Sequence, residues 1–465
     1  MKKNASINRV MFFNMLGPML LNGLAFFTMP IFTRLLGTEQ YGIYVTYASY
    51  LSIFSVIIGF QSAGAIAPAS VRYSGKERES CFSSIMTAAI FSAVLIGGIC
   101  LSFLPTFASL IGLEKHLAVV LILHATCQFV VYFTTAKASY EKNSHINFLI
   151  SVSVSMAGIV LSLIFIYLLP QSFSRSESYI YGHAIPYIVC GPFLAAYHLL
   201  KGKVFFRSEY WKFALQLCLP LIFHQLSNTL LHQCDKIMLD KITTKSFVGI
   251  YGFAVSFANI MNIIWSALNT TFVPFYHDDI RDKNPEKLYK KTRNYLFVFT
   301  ILTLGFIYAQ PEVVKIFAQK DYYESINIIP LLTVGLYFVF LYSFPVNFEF
   351  YYRKTKIIAI GTCFAAIANI LFNASFINLW GMVGAAAATL LSYLLLWIFH
   401  LLLANFVIKE SYHFKYRDFY YHLIIVVVGT ALFYIVKDLP SIRWIICAGL
   451  GAALLYRIKK QKSVF

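Results

Sequence analysis

Residues 10–68 read VMFFNMLGPMLLNGLAFFTMPIFTRLLGTEQYGIYVTYASYLSIFSVIIGFQSAGAIAP, and Arg34 and Glu39 are the only formal charges among them. The apolar runs on either side, 10–35 and 41–68, each exceed the roughly 20 residues that a helix needs to cross a hydrocarbon core about 30 Å thick. Lipid offers no water to backbone N–H and C=O groups, so a spanning segment must satisfy them internally, as a helix does. Lys2, Lys3 and Arg9 precede the first run as they would in a secretory signal. The run is too long for a signal core, however, and no small-x-small cleavage site closes it. An uncleaved first helix is expected.

The pattern continues to the end of the chain. Of 465 residues, 59% are apolar and 12% charged, against about 25% charged in a soluble domain. Further helix cores are expected at 81–104, 116–135, 147–169, 179–200, 213–234, 248–275, 295–309, 326–351, 357–377, 381–408, 420–436 and 442–456. The expected fold class is therefore all-α integral membrane, with about fourteen spanning helices. Pro311 and Glu312 are expected to interrupt the ninth, with Val313 to Phe317 as its alternative continuation. Connections are short. The longest, YHDDIRDKNPEKLYKKTRN at 276–294, is strongly charged and too small for a soluble catalytic domain. Lys and Arg collect on alternate connections, on the side of the N-terminus, which places both termini in the cytoplasm. Lys236, Lys241 and Lys245 are the exception. The net charge of +18 then reflects topology and contact with anionic lipid heads. It does not call for nucleic acid, which would need a basic patch on a soluble fold. The eight cysteines form no CxxC pair and no Cys/His metal spacing, so they read as small packing residues, and no metal is expected.

Several short motifs recur in order. Leu16-Gly17-Pro18 is echoed by Cys218-Leu219-Pro220, and Gly42-Ile43-Tyr44 by Gly249-Ile250-Tyr251. Ser49-Tyr50 is echoed by Ser256-Phe257, and Pro68 by Pro274. The spacing is nearly constant, as in an internal repeat. Two parallel six-helix lobes are expected, 1–200 and 213–408, joined by a cytoplasmic linker at 201–212. Residues 409–465 add two helices and a basic tail. Parallel repeats of this kind rock about a site between them.

Polar side chains inside these helices mark candidate cavity walls, because such groups are costly in lipid. His224, Asn228, His232 and Asp235 fall in one narrow arc at about 100° per residue, with Thr229 about 100° off it. His124 and Gln128 precede Tyr132 and Thr135 in a second stripe. Asn259 and Asn262 precede Ser266 and Asn269 in a third, and Asn14 and Asn22 flank Pro18. Interhelical hydrogen bonding is the competing account of each. Arg34, Asp235 and Lys236 stand at helix ends. Arg34 fits a phosphate or sugar contact or a snorkelling anchor, and Asp235 and Lys236 could pair with Arg34 or with each other. Glu349 is explained by an i,i+4 pair with Arg353, and with Asp235 it is otherwise the candidate for ion coupling.

The run Phe32-Thr33-Arg34-Leu35-Leu36-Gly37 followed by Tyr41-Gly42-Ile43-Tyr44 resembles the polysaccharide-unit (O-antigen type) flippases of the multidrug/oligosaccharidyl-lipid/polysaccharide exporter superfamily. So does Leu219-Pro220 leading to Asp235-Lys236 and Val248-Gly249-Ile250-Tyr251, with Gly384-Ala385-Ala386-Ala387-Ala388-Thr389 later in the chain. The resemblance covers the whole length and implies a MATE-like fold. It implies a bacterial inner-membrane transporter, not an enzyme, that turns over an undecaprenyl-diphosphate-linked oligosaccharide. No cofactor is called for beyond coupling to an H+ or Na+ gradient. A polysaccharide polymerase and chain-length machinery are candidate partners, and lipopolysaccharide O-antigen the candidate pathway product. The alternatives are a drug/cation antiporter of the same superfamily, which should keep a membrane-embedded carboxylate deep in a lobe, whereas the expected helices of the first lobe carry no Asp or Glu, and a membrane polysaccharide polymerase, which should have a large external loop or acidic residues in the first loop, where only Glu39 stands.

Overall fold

The computed structural model describes residues 7–170, 172–407 and 416–461, apart from the side chains at 7–15, 18, 19, 22, 25, 405–407 and 461. Among these residues the chain is helical, with no strand. Eleven of its helices are long and apolar enough to cross a membrane by length and composition. It divides into two compact units, residues 1–249 and 250–465.

The first unit contains α1 (Ile7–Ile58), α2 (Ile66–Arg72), α3 (Gly75–Ser102), α4 (Leu104–Ile111), α5 (Lys115–Tyr140), α6 (Ser144–Leu168), α7 (Arg175–Gly202) and α8 (Ser208–Ile242). It also takes in the first turn of α9 (Lys245–Arg281). The unit thus extends beyond the 1–200 lobe, because α8 packs on α1 and α3. The long run of α1 breaks at Gly37, where φ is 69°. A residue with a Cβ resists that left-handed conformation, so the bend stands between the two expected spans. Phe32 before the bend and Tyr44 after it both meet Tyr179 of α7, with ring centroids 4.2 and 4.4 Å away. The start of α7 is fixed by a capping box, in which Ser174 Oγ accepts from Glu177 N and Glu177 Oε2 accepts from Ser174 N. At one edge Lys137 donates to Glu79 at 2.6 Å, with Lys201 3.4 Å from the same carboxylate, tying α3, α5 and α7.

One close approach links the two GIY triplets. A Cβ added to Gly42 would fall 1.8 Å from the Lys245 carbonyl oxygen, and one added to Gly249 would fall 2.0 Å from that of Thr38. The arrangement is reciprocal, and residues 38 and 245 are separated by the same interval as 42 and 249. The Thr38 and Ser246 hydroxyls share a hydrogen bond of 2.5 Å beside the crossing. Glycine at both positions lets the backbones touch.

The second unit holds the rest of α9 with α10 (Pro285–Phe317), α11 (Ser325–Tyr351), α12 (Thr355–Val407), α13 (Tyr416–Val436) and α14 (Pro440–Gln461). α12 bends at Gly381, with φ 55°. Its limbs fold back on each other: Phe364 stacks on Phe399 at 5.8 Å, and a Cβ at Gly384 would fall 1.9 Å from the Phe376 carbonyl oxygen. With α1 and α12 each counted as two passes at their glycine bends, and α8 counted although it is not among the eleven, the fourteen-pass reading is accommodated.

Two expectations need correction. The charged stretch 276–294 is not a long loop, since α9 runs to Arg281 and α10 starts at Pro285, capped by Asn284 Oδ1 accepting from Lys287 N at 3.1 Å. Nor do Pro311 and Glu312 interrupt the ninth helix, because α10 passes through them. Arg443 of α14, 1% exposed, grips the Glu312 carboxylate with both Nη atoms and donates from Nη1 to the Tyr308 carbonyl at 2.9 Å. A partnered carboxylate is tolerated at a depth where a lone one would not be.

Candidate functional site

A cavity of about 550 Å³ opens within the first unit, in the size range of small-molecule sites. Ser52, Ser55 and Gln61 line it from the second limb of α1 and the turn after it. Gln128, Tyr132 and Thr135 of α5 form another wall, with Ser151 and Ser155 of α6 and Tyr187 of α7. Gln225, Asn228, Thr229, His232 and Gln233 of α8 close it. Both sequence repeats therefore contribute. None of the lining residues is Asp, Glu, Lys or Arg.

The hydroxyls of Ser52, Ser55 and Thr135 donate to helix carbonyls three or four residues back, at 2.9–3.0 Å. Their lone pairs stay available as acceptors. Gln128 Oε1 is buried and has no hydrogen-bond partner among the described residues. Gln233 Oε1 accepts from Ser49 Oγ at 3.2 Å and from Lys236 Nζ at 2.8 Å. The same ammonium donates to the His232 carbonyl at 2.7 Å, so Lys236 is turned along its own helix. Asp235 is 3% exposed and accepts the Lys236 backbone N–H at 2.8 Å. The polar groups that face the cavity are amides, hydroxyls and one imidazole, set among apolar side chains such as Leu21, Val56, Phe129 and Val131. Such groups can exchange hydrogen bonds with a polyhydroxylated solute without desolvating a fixed charge.

Of the residues singled out from sequence, Gln128, Asn228 and His232 line this cavity. His124 stands behind the wall, 1% exposed, with Nδ1 3.1 Å from the Tyr47 hydroxyl and its ring 4.9 Å from that of Tyr187. His224, Asp235 and Lys236 lie outside the lining, and Arg34 is exposed on α1. Asn14 and Asn22 fall on α1 with side chains outside the described residues. Asn259 and Asn262, hydrogen-bonded to each other at 3.0 Å, belong to the second unit.

On α8 the arc that lines this cavity is centred about 70° from the expected stripe, at about 100° per residue. Its wetted face runs through Gln225, Thr229 and Gln233 as well as Asn228 and His232. Thr229, expected off the stripe, is on it. The missed signal was a second polar row, 225, 229 and 233, at the same i,i+4 spacing. Ser52 with Ser55, and Ser151 with Ser155, were legible by the same rule but look like ordinary small residues in a membrane helix.

Glu349 also stands elsewhere than expected. It is fully buried, and His400 Nδ1 lies 2.8 and 2.9 Å from its two carboxylate oxygens. Arg353 lies beyond the end of α11 at Tyr351, with a positive φ of 57°, and is exposed. The i,i+4 pair cannot form once the helix has ended between them.

Residues 8–278 match the family described as polysaccharide biosynthesis protein. An Lsg locus protein of Haemophilus influenzae is 24% identical over 382 residues, 76% of this chain and 86% of that protein. A structure of lipid II flippase MurJ in an inward closed conformation superposes with a TM-score of 0.69 at 19% identity, covering 94% of this chain and 99% of the other. An inward-facing multidrug resistance MATE family transporter of the MOP superfamily gives 0.66 at 18% identity, over 84% and 96%. At these identities the structural likeness carries the fold.

Proposed function

Because the chain belongs to the polysaccharide biosynthesis protein family, we propose that it is a flippase for lipid-linked polysaccharide repeat units. The unit would be carried on undecaprenyl diphosphate and moved from the cytoplasmic to the outer leaflet of a bacterial inner membrane by alternating access of the two repeat lobes. The observation that supports this reading best is that the polar part of the cavity lining consists of amides, hydroxyls and one imidazole, without a charged side chain. A glycan is held there by many weak hydrogen bonds, each worth about 0.5–1.5 kcal/mol net, which allows binding and release in one cycle. The lipid tail stays in the bilayer. A cationic drug would find no carboxylate in this wall, so the antiporter reading has less support. Transport of this kind breaks no covalent bond, so no catalytic group is invoked. A polymerase and chain-length machinery would act on the delivered unit.

The test is genetic and topological. In a strain lacking any second flippase, removing the gene should abolish surface polysaccharide and trap the lipid-linked unit where only a cytoplasmic-side probe reaches it. Normal surface polysaccharide, or accumulation on the outer face, would reject the proposal.

A further inference from the structure

The second unit carries a buried acid and base that the cavity chemistry does not use. Glu349 of α11 and His400 of α12 both have side chains with zero exposure. His400 Nδ1 sits astride the carboxylate, so it carries the hydrogen and donates to both oxygens. The opposite nitrogen, Nε2, is buried without a partner among the described residues. It rests against Gly361 on the other limb of α12, where a Cβ would fall 2.3 Å from it. The seat for the ring thus exists because residue 361 has no side chain. From α11 the Tyr342 ring flanks the imidazole at 5.0 Å, its hydroxyl engaged with Thr362. The nearest cations in sequence, Arg353, Lys354 and Lys356, are exposed. Among the described residues His400 is the only ion-pair partner of Glu349.

Charge counting shows what the pair lacks. With a neutral imidazole and an ionised carboxylate, a fully buried site holds one uncompensated negative charge, which is costly. One proton added at Nε2 makes the pair neutral overall, either as imidazolium and carboxylate or, after the Nδ1 proton shifts to the carboxylate, as imidazole and carboxylic acid. A hard metal cation would draw its shell from several oxygen atoms, whereas this carboxylate is already engaged by an N–H donor.

We propose that Glu349 and His400 form a proton-binding site, loaded when the pair is occluded and unloaded when water reaches it. The role of that site in driving export rests on the function proposed above, but the site does not.

Infrared difference spectra of the purified full-length chain, recorded between acidic and neutral buffer, read the site directly. The wild-type protein should show a buried carboxylic C=O band that grows on acidification. Glu349→Gln should remove that band, and Arg353→Gln should leave it unchanged. His400→Gln should shift the frequency of that band, since the imidazole ring no longer sits against the carboxyl group. A band that survives Glu349→Gln, or a band frequency that His400→Gln does not move, overturns the site. If Glu349→Gln does not fold, Glu349→Asp must shift the band, and an unmoved band has the same force. In cells, collapsing the pH gradient should cut wild-type export several-fold and leave the residual export of Glu349→Gln unchanged. Equal dependence in both rejects the coupling. A proton site that titrates as described in a chain whose removal leaves export intact rejects the flippase reading alone.

Discussion

α1 and α12 are nearly the same object in sequence: 52 and 53 residues, mostly apolar, each broken once at a glycine with positive φ. Their uses differ. The limbs of α12 close on each other, with Phe364 on Phe399 and Gly361 under His400, and the joint encloses a charge. In α1 the second limb turns to other helices. It presents Gly42 to the start of α9 and Ser52 and Ser55 to the cavity. A glycine bend supplies direction only, and what stands opposite each limb decides whether the result is a sealed ionic joint or a wet wall.

The comparison is tested most severely at the ionic joint. His400→Leu fills the same pocket but leaves Glu349 buried without a partner, and thermal unfolding of the purified chain should show a loss of about 3–5 kcal/mol. Retained stability would mean that the joint is no more than packing. A smaller loss, about 1–3 kcal/mol for overpacking, is expected from Gly42→Ala and from Gly384→Ala, whose added carbons both meet backbone. The two should part in their readout. Gly384→Ala should lower thermal stability, because it wedges two limbs of one helix. Gly42→Ala should in addition lower export at near-normal abundance, because it holds open a crossing between two separate helices. Identical profiles for the pair would erase the distinction drawn between α1 and α12.

Within the wet wall, Gln128→Leu and Asn228→Leu should each reduce export while leaving the protein inserted. The expected loss is about 0.5–1.5 kcal/mol in substrate affinity per hydrogen bond removed. Thr229→Leu should behave as they do, since Thr229 shares the lining. The smallest effect belongs to His224→Leu, off the lining and expected to stay within about 0.5 kcal/mol of wild type. If His224→Leu impairs export more than Thr229→Leu, the cavity lies on the face first read from sequence.

That reversal of Thr229 and His224 marks where sequence reading stops. The number of passes was legible because lipid imposes a length on each apolar run, and the glycines at 37 and 381 fall where two runs meet. Helix faces were legible only to within part of a turn, because polar rows 224–228–232 and 225–229–233 are both regular and only packing selects between them. The charged pairs were not legible at all. Glu349 meets a histidine on another helix, and Glu312 an arginine on the next helix but three, so in sequence the first reads as an i,i+4 partner of Arg353 and the second as an interruption. Local charge rules see i,i+4 neighbours and are blind to partners brought together by tertiary packing.

The near-absence of a loop between α9 and α10 bears on how the folded chain can be cut. Residues 276–294 offer Arg281, Lys283, Lys287, Lys290, Lys291 and Arg293 to trypsin. A protease needs extended, exposed chain, and only residues 282–284 lie outside helix here. Digestion of the native protein should therefore nick at Arg281 or Lys283 and spare the four basic sites that follow, although they are the denser target in the linear sequence.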